Sequence, residues 1–162
     1  MTFESKKIDS KNNPTFKRFV KIAKNRDKAF CLLEGIHLCQ EFLQNNRGLH
    51  LKHAVFQLST LKKAQDTTAP NEIKTLYQRF ADKALIFADP LFKQLCEVSS
   101  PQGVLFIVEV PQSELLDIPL DKSMVLLDRI QDPGNLGTII RTAAAAGIEH
   151  LVMSSASVNP WS

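Results

Sequence analysis

Apolar positions along the chain fall into short periodic runs separated by polar turns. Between Pro14 and Asn25, Phe16, Phe19, Val20 and Ala23 recur at i, i+3, i+4 and i+7, one face of a helix. Asn13 is placed to cap that helix, and Pro14 suits its first position. Phe30-Cys-Leu-Leu-Glu34 reads as a short buried strand broken by Gly35. Ile36 to Gln44 follows as a helix with Ile36, Cys39 and Leu43 inward, and Lys52 to Leu58 as a strand. Pro70 to Phe80 has Ile73, Leu76, Tyr77 and Phe80 at helical core spacing. Ala84 to Phe87 is a strand. Asp89-Pro90 signals the cap and first turn of a short helix through Leu95, and Gln102 to Val110 is a strongly apolar strand.

Strands alternating with helices predict a layered α/β domain over residues 1–110. Pro111 to Pro119 carries two prolines and acids (Glu114, Asp117) and reads as a linker, taken as 111–121. Met124-Val-Leu-Leu127 is wholly apolar, as in a strand covered on both faces. Residues 128–134 are turn-rich. Asn135 to Ala146 reads as a helix whose Ile139, Ile140, Ala143 and Ala146 would pack on a sheet, with Gly147 as its stop. Ile148 to Met153 is the next strand, completing one βαβ unit. One such unit cannot cover its own strands. The residues after Met153 are polar and turn-like. The second domain, 122–162, is therefore expected to be incomplete, or to finish its sheet against the first domain or another chain.

At 162 residues, 44% hydrophobic and 23% charged, the chain suits a globular protein with a real core. No run approaches the ~18 apolar residues of a membrane span, and the first residues lack a signal-type segment, so a cytoplasmic protein is expected. Three cysteines (Cys31, Cys39, Cys96) without CxxC spacing argue against a disulfide framework or a zinc site. The four histidines form no metal-binding pair, and no metal is expected. The net charge of +3 is unevenly spread. Residues 1–30 hold nine Lys/Arg against three acids; residues 31–121 hold eight basic and eleven acidic groups. Lys17, Arg18, Lys21 and Lys24 surround the apolar stripe of the first helix, and Arg26 follows it. Such a helix can pack and touch a phosphate backbone together, although a solvated basic face would look the same.

The chemistry-bearing stretch is Leu127-Asp-Arg-Ile-Gln-Asp-Pro-Gly-Asn-Leu-Gly-Thr-Ile-Ile-Arg-Thr-Ala143. It sets a tight turn, Asp132-Pro-Gly-Asn135, at the carboxyl end of a strand, where open parallel sheets bind ligands. The following helix aims free N–H groups at that space. Asn135 sits where a cap belongs and can present its amide to a ligand, and Gly134 and Gly137 allow close approach. Arg141, one turn beyond Gly137 and beside Ala144 and Ala145, can reach a phosphate or ribose. The bland alternative makes Asn135 only a cap, Gly137 a packing residue, and Arg141 an ion-pair partner of Asp128 or Asp132.

The run Asp132-Pro-Gly-Asn-Leu-Gly-Thr-Ile-Ile-Arg-Thr-Ala143 closely resembles the first motif of the SpoU-class (SPOUT superfamily) RNA ribose 2'-O-methyltransferases. Arg26 with Phe30-Cys-Leu-Leu-Glu-Gly35 more loosely resembles the opening of that family's RNA substrate-binding domain. The resemblance implies a ribosomal-protein-like α/β/α domain ahead of the first βαβ unit of an incomplete SPOUT (α/β knot) domain. It implies methyl transfer from S-adenosylmethionine to structured rRNA or tRNA by a full-length homodimer, with Asn135 and Arg141 as the functional polar residues. The RNA contacts are expected from Lys17, Arg18, Lys21, Lys24, Arg26, Gly134 and Gly137. A guanidinium stays protonated at ordinary pH, so Arg141 would act either with an RNA phosphate taking up the proton or by stabilising the alkoxide. Asn159-Pro-Trp-Ser162 resembles the approach to the family's second motif, and no second or third motif follows. The resemblance therefore implies no S-adenosylmethionine site in these residues and an inactive chain that still binds RNA.

Two other classes fit less of the sequence. Gly134-Asn-Leu-Gly137 is a GxxG as in a KH loop of a non-catalytic RNA-binding module, but a KH loop joins two helices, whereas a strand precedes this one. A dinucleotide-binding GxGxxG would need glycine at position 132, where Asp132 stands.

Overall fold

A computed structural model describes residues 5–45, 50–111 and 118–161. The chain forms two compact units, 1–111 and 112–162. The predicted linker residues 112–117 lie outside the described residues.

The first unit carries a five-stranded sheet of order β1-β4-β3-β5-β2: β1 (Lys6–Ile8), β2 (Phe30–Glu34), β3 (Leu51–Gln57), β4 (Ala84–Phe87) and β5 (Val104–Glu109). β1, β4 and β3 run parallel; β5 runs antiparallel to β3 and to β2. Side chains of a strand alternate between faces, and here they split into two cores. Ala54, Phe56, Ala84, Ile86, Val104, Phe106 and Val108 pack on one face with Cys39 of α2 (Ile36–Asn45), Leu61 and Ala64 of α3 (Leu58–Asp66), and Ile73, Leu76 and Tyr77 of α4 (Glu72–Arg79). Val55, Leu85, Phe87, Leu105 and Ile107 pack on the other with Phe16, Phe19 and Ile22 of α1 (Pro14–Ala23) and Leu91 and Phe92 of α5 (Asp89–Lys93). Phe56, Phe87, Phe92 and Phe106 are fully buried, each contributing about 1.5–3 kcal/mol. The mixed α/β architecture, with helices on both faces, matches the sequence reading.

Several local expectations change. The deepest line of α1 is Phe16, Phe19 and Ile22; Val20 and Ala23 are only partly buried, because the helix rolls its 16-19-22 edge towards Phe87. Asn13 does cap α1, accepting from the Thr15 amide at 2.9 Å. β2 is half-buried, being the edge strand. Gly35, at φ +94°, makes the break after it. Two elements escaped the pattern, β1 and α3. α3 starts at Leu58, directly after β3, and its N-cap residue Gln57 makes no side-chain capping bond. Asp89 supplies the bond instead, its Oδ1 accepting from the Ser59 amide at 3.0 Å. Asp89 is therefore not the cap of its own helix: Ala88 holds that position. α4 begins after Asn71, whose side chain accepts from the Lys74 amide, so Pro70 lies outside the helix.

In the second unit, β6 (Met124–Leu127) and β7 (His150–Met153) pair in parallel around α6 (Pro133–Ala145), the expected βαβ unit. β6 is not covered on both faces. Leu126 is 71% exposed, because β6 has only β7 beside it among the described residues, and only alternate side chains face α6. α6 buries Leu136 and Ala143, with Ile139 partly covered; Ile140 is 37% exposed and Ala146 exposed. The packed line is thus 136-139-143, one residue round from the predicted face. Gly147, at φ +74°, ends α6: its amide bonds Ala144 O and the Ile148 amide bonds Ala143 O, closing the last turn.

Candidate functional site

The candidate site of the second unit is built where β6 and β7 end. Beyond them, residues 128–131 and 154–158 are tied together. The Ser154 amide donates to Leu127 O (2.9 Å), the Arg129 amide to Ser154 Oγ (3.1 Å) and the Ile130 amide to Ser157 Oγ (3.1 Å). The Val158 amide and Gln131 Nε2 add bonds to Ile130 O (2.7 Å) and Ala156 O (2.6 Å). Arg129 is held at φ +53°, a conformation uncommon outside glycine, and its side chain pairs with Asp128 at 3.5 Å. Ser154 and Ser157 fix the turn. Nothing in a polar, turn-like tail distinguished them from its other serines.

The turn then enters α6. The cap is Asp132 and not Asn135: Asp132 Oδ1 accepts from the Asn135 amide at 2.6 Å. A proline at the next position cannot donate, so the helix starts there and leaves Asn135 inside the first turn. Its side chain stays exposed. Gly134 has a structural reason, since a Cβ there would stand 3.1 Å from the capping oxygen. Arg141 folds back along its helix. Its Nη2 donates to Thr138 Oγ1 at 3.3 Å, and its Nη1 lies 3.5 Å from where a Cβ on Gly137 would be. Arg141 is exposed and, among the described residues, has no ion pair; Asp128 pairs with Arg129 and Asp132 caps α6. The ion-pair alternative for Arg141 is thus not what forms. Gly134, Gly137, Thr138 and Arg141 share a helix face, whereas Asn135 sits about 120° round from Arg141 at 3.6 residues per turn.

In the first unit, Lys17, Lys21, Lys24 and Arg26 are exposed around and after α1. The chain leaves α1 past its C-cap Lys24 through Asn25 at φ +54°, with the Arg26 amide bonding Lys21 O. Arg18, expected as an RNA contact, already has partners within the unit. Its Nε lies 3.4 Å from Asp27 Oδ2, and its guanidinium stacks 4.7 Å from the Phe30 ring centre. Cys31 and Cys39 are buried and Cys96 partly so, all unbridged. Burial pushes the Cys39 thiol up to about 12, and burial with the Glu34 carboxylate does the same for Cys96. Among the described residues no His, Cys, Asp or Glu cluster could hold a metal, and no helix is long and apolar enough to cross a membrane.

The second unit thus presents a strand–turn–helix with a Gly/Arg face where its strands end, and the unit preceding it in sequence carries a basic helix. Residues 122–162 match the SpoU rRNA Methylase family. The chain is 26% identical over 159 residues to the 23S rRNA (guanosine(2553)-2'-O)-methyltransferase RlmP of Bacillus subtilis, covering 96% of this chain and 57% of that one. It is 30% identical to a tRNA/rRNA methyltransferase, uncharacterised, of Synechocystis, over all of this chain and 57% of that one. An AdoMet-bound rRNA methyltransferase from Sinorhizobium meliloti superposes with a TM-score of 0.70 at 28% identity, over 97% of this chain and 57% of the other. The chain thus spans somewhat more than half the length of these relatives. The KH alternative loses its footing: Gly134 and Gly137 lie inside α6, after a strand, and not in a loop between helices.

Proposed function

We propose that this chain is the RNA-holding part, with the first catalytic motif, of an enzyme that methylates ribose 2'-hydroxyls of structured rRNA or tRNA from S-adenosylmethionine, working as a cytoplasmic homodimer. The observation that carries the reading is Arg141: an exposed guanidinium without an ion pair among the described residues, on the Gly134–Gly137 face of α6. A ribose–phosphate chain laid on that face meets a fixed positive charge. A guanidinium does not give up its proton readily, so Arg141 acts by orienting the ribose and stabilising oxygen as it loses its proton. Asn135, round the helix, positions the same strand through its amide, and Gly134 and Gly137 let the backbone approach. Residues 1–110 serve as the substrate-binding domain, with Lys17, Lys21, Lys24 and Arg26 on phosphates and Arg18 on a base or ribose. Residues 111–121 serve as the linker to the methylase domain.

The described residues of the second unit do not by themselves fit the methyl donor. The bonds between its two loops and the open Leu126 support this reading: among the described residues the loops' polar groups are used on each other rather than turned towards an adenosine. These 162 residues are therefore expected to bind RNA without methyl transfer. The test is fluorescence anisotropy with labelled rRNA stem–loops across a salt series. Replacing Lys17, Lys21 and Lys24 by alanine should flatten the log K against log[salt] slope by about 2–3, at roughly 0.9 per lost phosphate contact. An unchanged slope removes α1 from the interface. Binding of S-adenosylmethionine at micromolar affinity by calorimetry would overturn the statement about the donor.

A further inference from the structure

The first unit carries a groove that backbone binding by α1 leaves unused. α1 packs Phe16, Phe19 and Ile22 on the sheet and touches the edge strand β2 through Arg18, yet leaves a gap beside Phe30, which stays half-buried. The gap, about 240 Å³, is floored by Phe19 and Ile107 and walled by Arg18 and Phe30 on one side and Lys52 and His53 on the other. Its chemistry is uneven in a specific way. Arg18 is fixed at one edge by Asp27 and stacked on Phe30, so its plane is set before any ligand arrives. His53 leans on Phe19 with ring centres 5.6 Å apart. Burial, outweighing a hydrogen bond to the Lys83 backbone and joined by the charges of Lys52 and Arg18, lowers its pKa and keeps it neutral. Lys52 is exposed at the rim. Asp27 is engaged with Arg18, and Glu109, the register partner of Phe30, does not line the groove.

We propose that this groove takes one unpaired nucleotide of the RNA, its base against Phe30, Arg18 and the apolar floor and its phosphate at Lys52. An aromatic face, a guanidinium plane and a cationic rim are how proteins hold single-stranded bases. The volume agrees: it equals roughly eight waters at ~30 Å³ each and falls below the ~300 Å³ where pockets for drug-sized ligands begin. One planar ring fits, and a run of bases does not. His53, uncharged, offers the base a hydrogen-bonding edge without adding to the phosphate attraction. An acidic peptide would satisfy Lys52 but leave the apolar Phe19, Phe30 and Ile107 surface unused.

This proposal rests on the RNA-binding reading, and one experiment separates the two. The 162-residue chain is titrated with an RNA hairpin bearing 2-aminopurine in its loop and with a blunt RNA duplex of equal length. The hairpin should bind more tightly, with its loop fluorescence changed by stacking. Phe30→Leu, which keeps apolar volume but removes the ring, should weaken the hairpin about tenfold and leave the duplex unchanged, the duplex reporting that the variant is folded. Lys52→Ala, on the surface, should lower the hairpin's salt slope by about 0.7. Equal binding of both RNAs, with 2-aminopurine emission unmoved at saturation, would overturn the groove and leave backbone binding standing. Binding of neither RNA at low salt would overturn both. Binding of poly-glutamate in preference to the hairpin would assign the groove to an acidic peptide instead.

Discussion

Replacing Asp132 by alanine removes the bond that starts α6. Its Oδ1 holds the Asn135 amide at 2.6 Å, and the Leu136 amide bonds Asp132 O at 3.1 Å. Losing an N-cap costs about 0.5–2 kcal/mol, typically ~1, and losing an exposed carboxylate at a helix N-terminus a further ~0.3–1 kcal/mol. The helix has little to spare: Leu136 and Ala143 are its buried side chains, and burying one leucine is worth only about 1.5–3 kcal/mol. The first turn should therefore open measurably while the first unit is untouched. Hydrogen exchange of the Asn135 and Leu136 amides reads this directly. Asp132→Ala should speed it by about 5–30-fold for 1–2 kcal/mol. Asp132→Asn, nearly as good a cap, should stay within a few-fold of the parent. Unchanged protection in the alanine variant would refute the assignment of Asp132 as the cap and return that role to Asn135. If Asp132→Asn keeps protection but loses RNA affinity, the carboxylate also acts on the ligand side.

Two further outcomes follow from the first unit. Asp89 is held below the usual carboxylate pKa: burial would raise it, but hydrogen bonds from Ser59 and Gln57 and the charge of Lys93 outweigh burial. Its contribution is complete above the unfolded pKa near 3.9 and is lost as pH falls through the lower folded value. Asp89→Ala should lower the melting temperature of the first unit by about 4–8 °C per kcal/mol lost and remove part of its acid sensitivity; an identical pH profile would sink this. Cys39 and Cys96, both pushed up to about 12, should resist a thiol reagent at pH 8 in the native protein and react in denaturant, since the thiolate is the nucleophile. Rapid native labelling of Cys39 would contradict its burial.

The sequence by itself determined much of this protein. The alternation of apolar runs set the βαβ order, Asn13 its helix, and the Asp-Pro-Gly-Asn-Leu-Gly…Arg run lies in the stretch that matches the SpoU rRNA Methylase family. These signals are local: a periodic face, a cap adjacent in sequence, a proline that must open a helix. The failures were of a different kind. α3 was invisible because its capping oxygen comes from Asp89, thirty residues on. Asp132 and Asn135, at the two ends of one turn, have the same local credentials as caps, and only the folded path decides that the Asp132 oxygen reaches the amide. Met124–Leu127 looked covered because hydrophobicity records a capacity for burial, whereas Leu126 is exposed for want of a neighbour beside it among the described residues. Only folding brings Asp27 and Phe30 to Arg18. What the chain can form is written residue by residue. Which atoms finally satisfy one another depends on contacts between distant positions, and only the tertiary structure decides those.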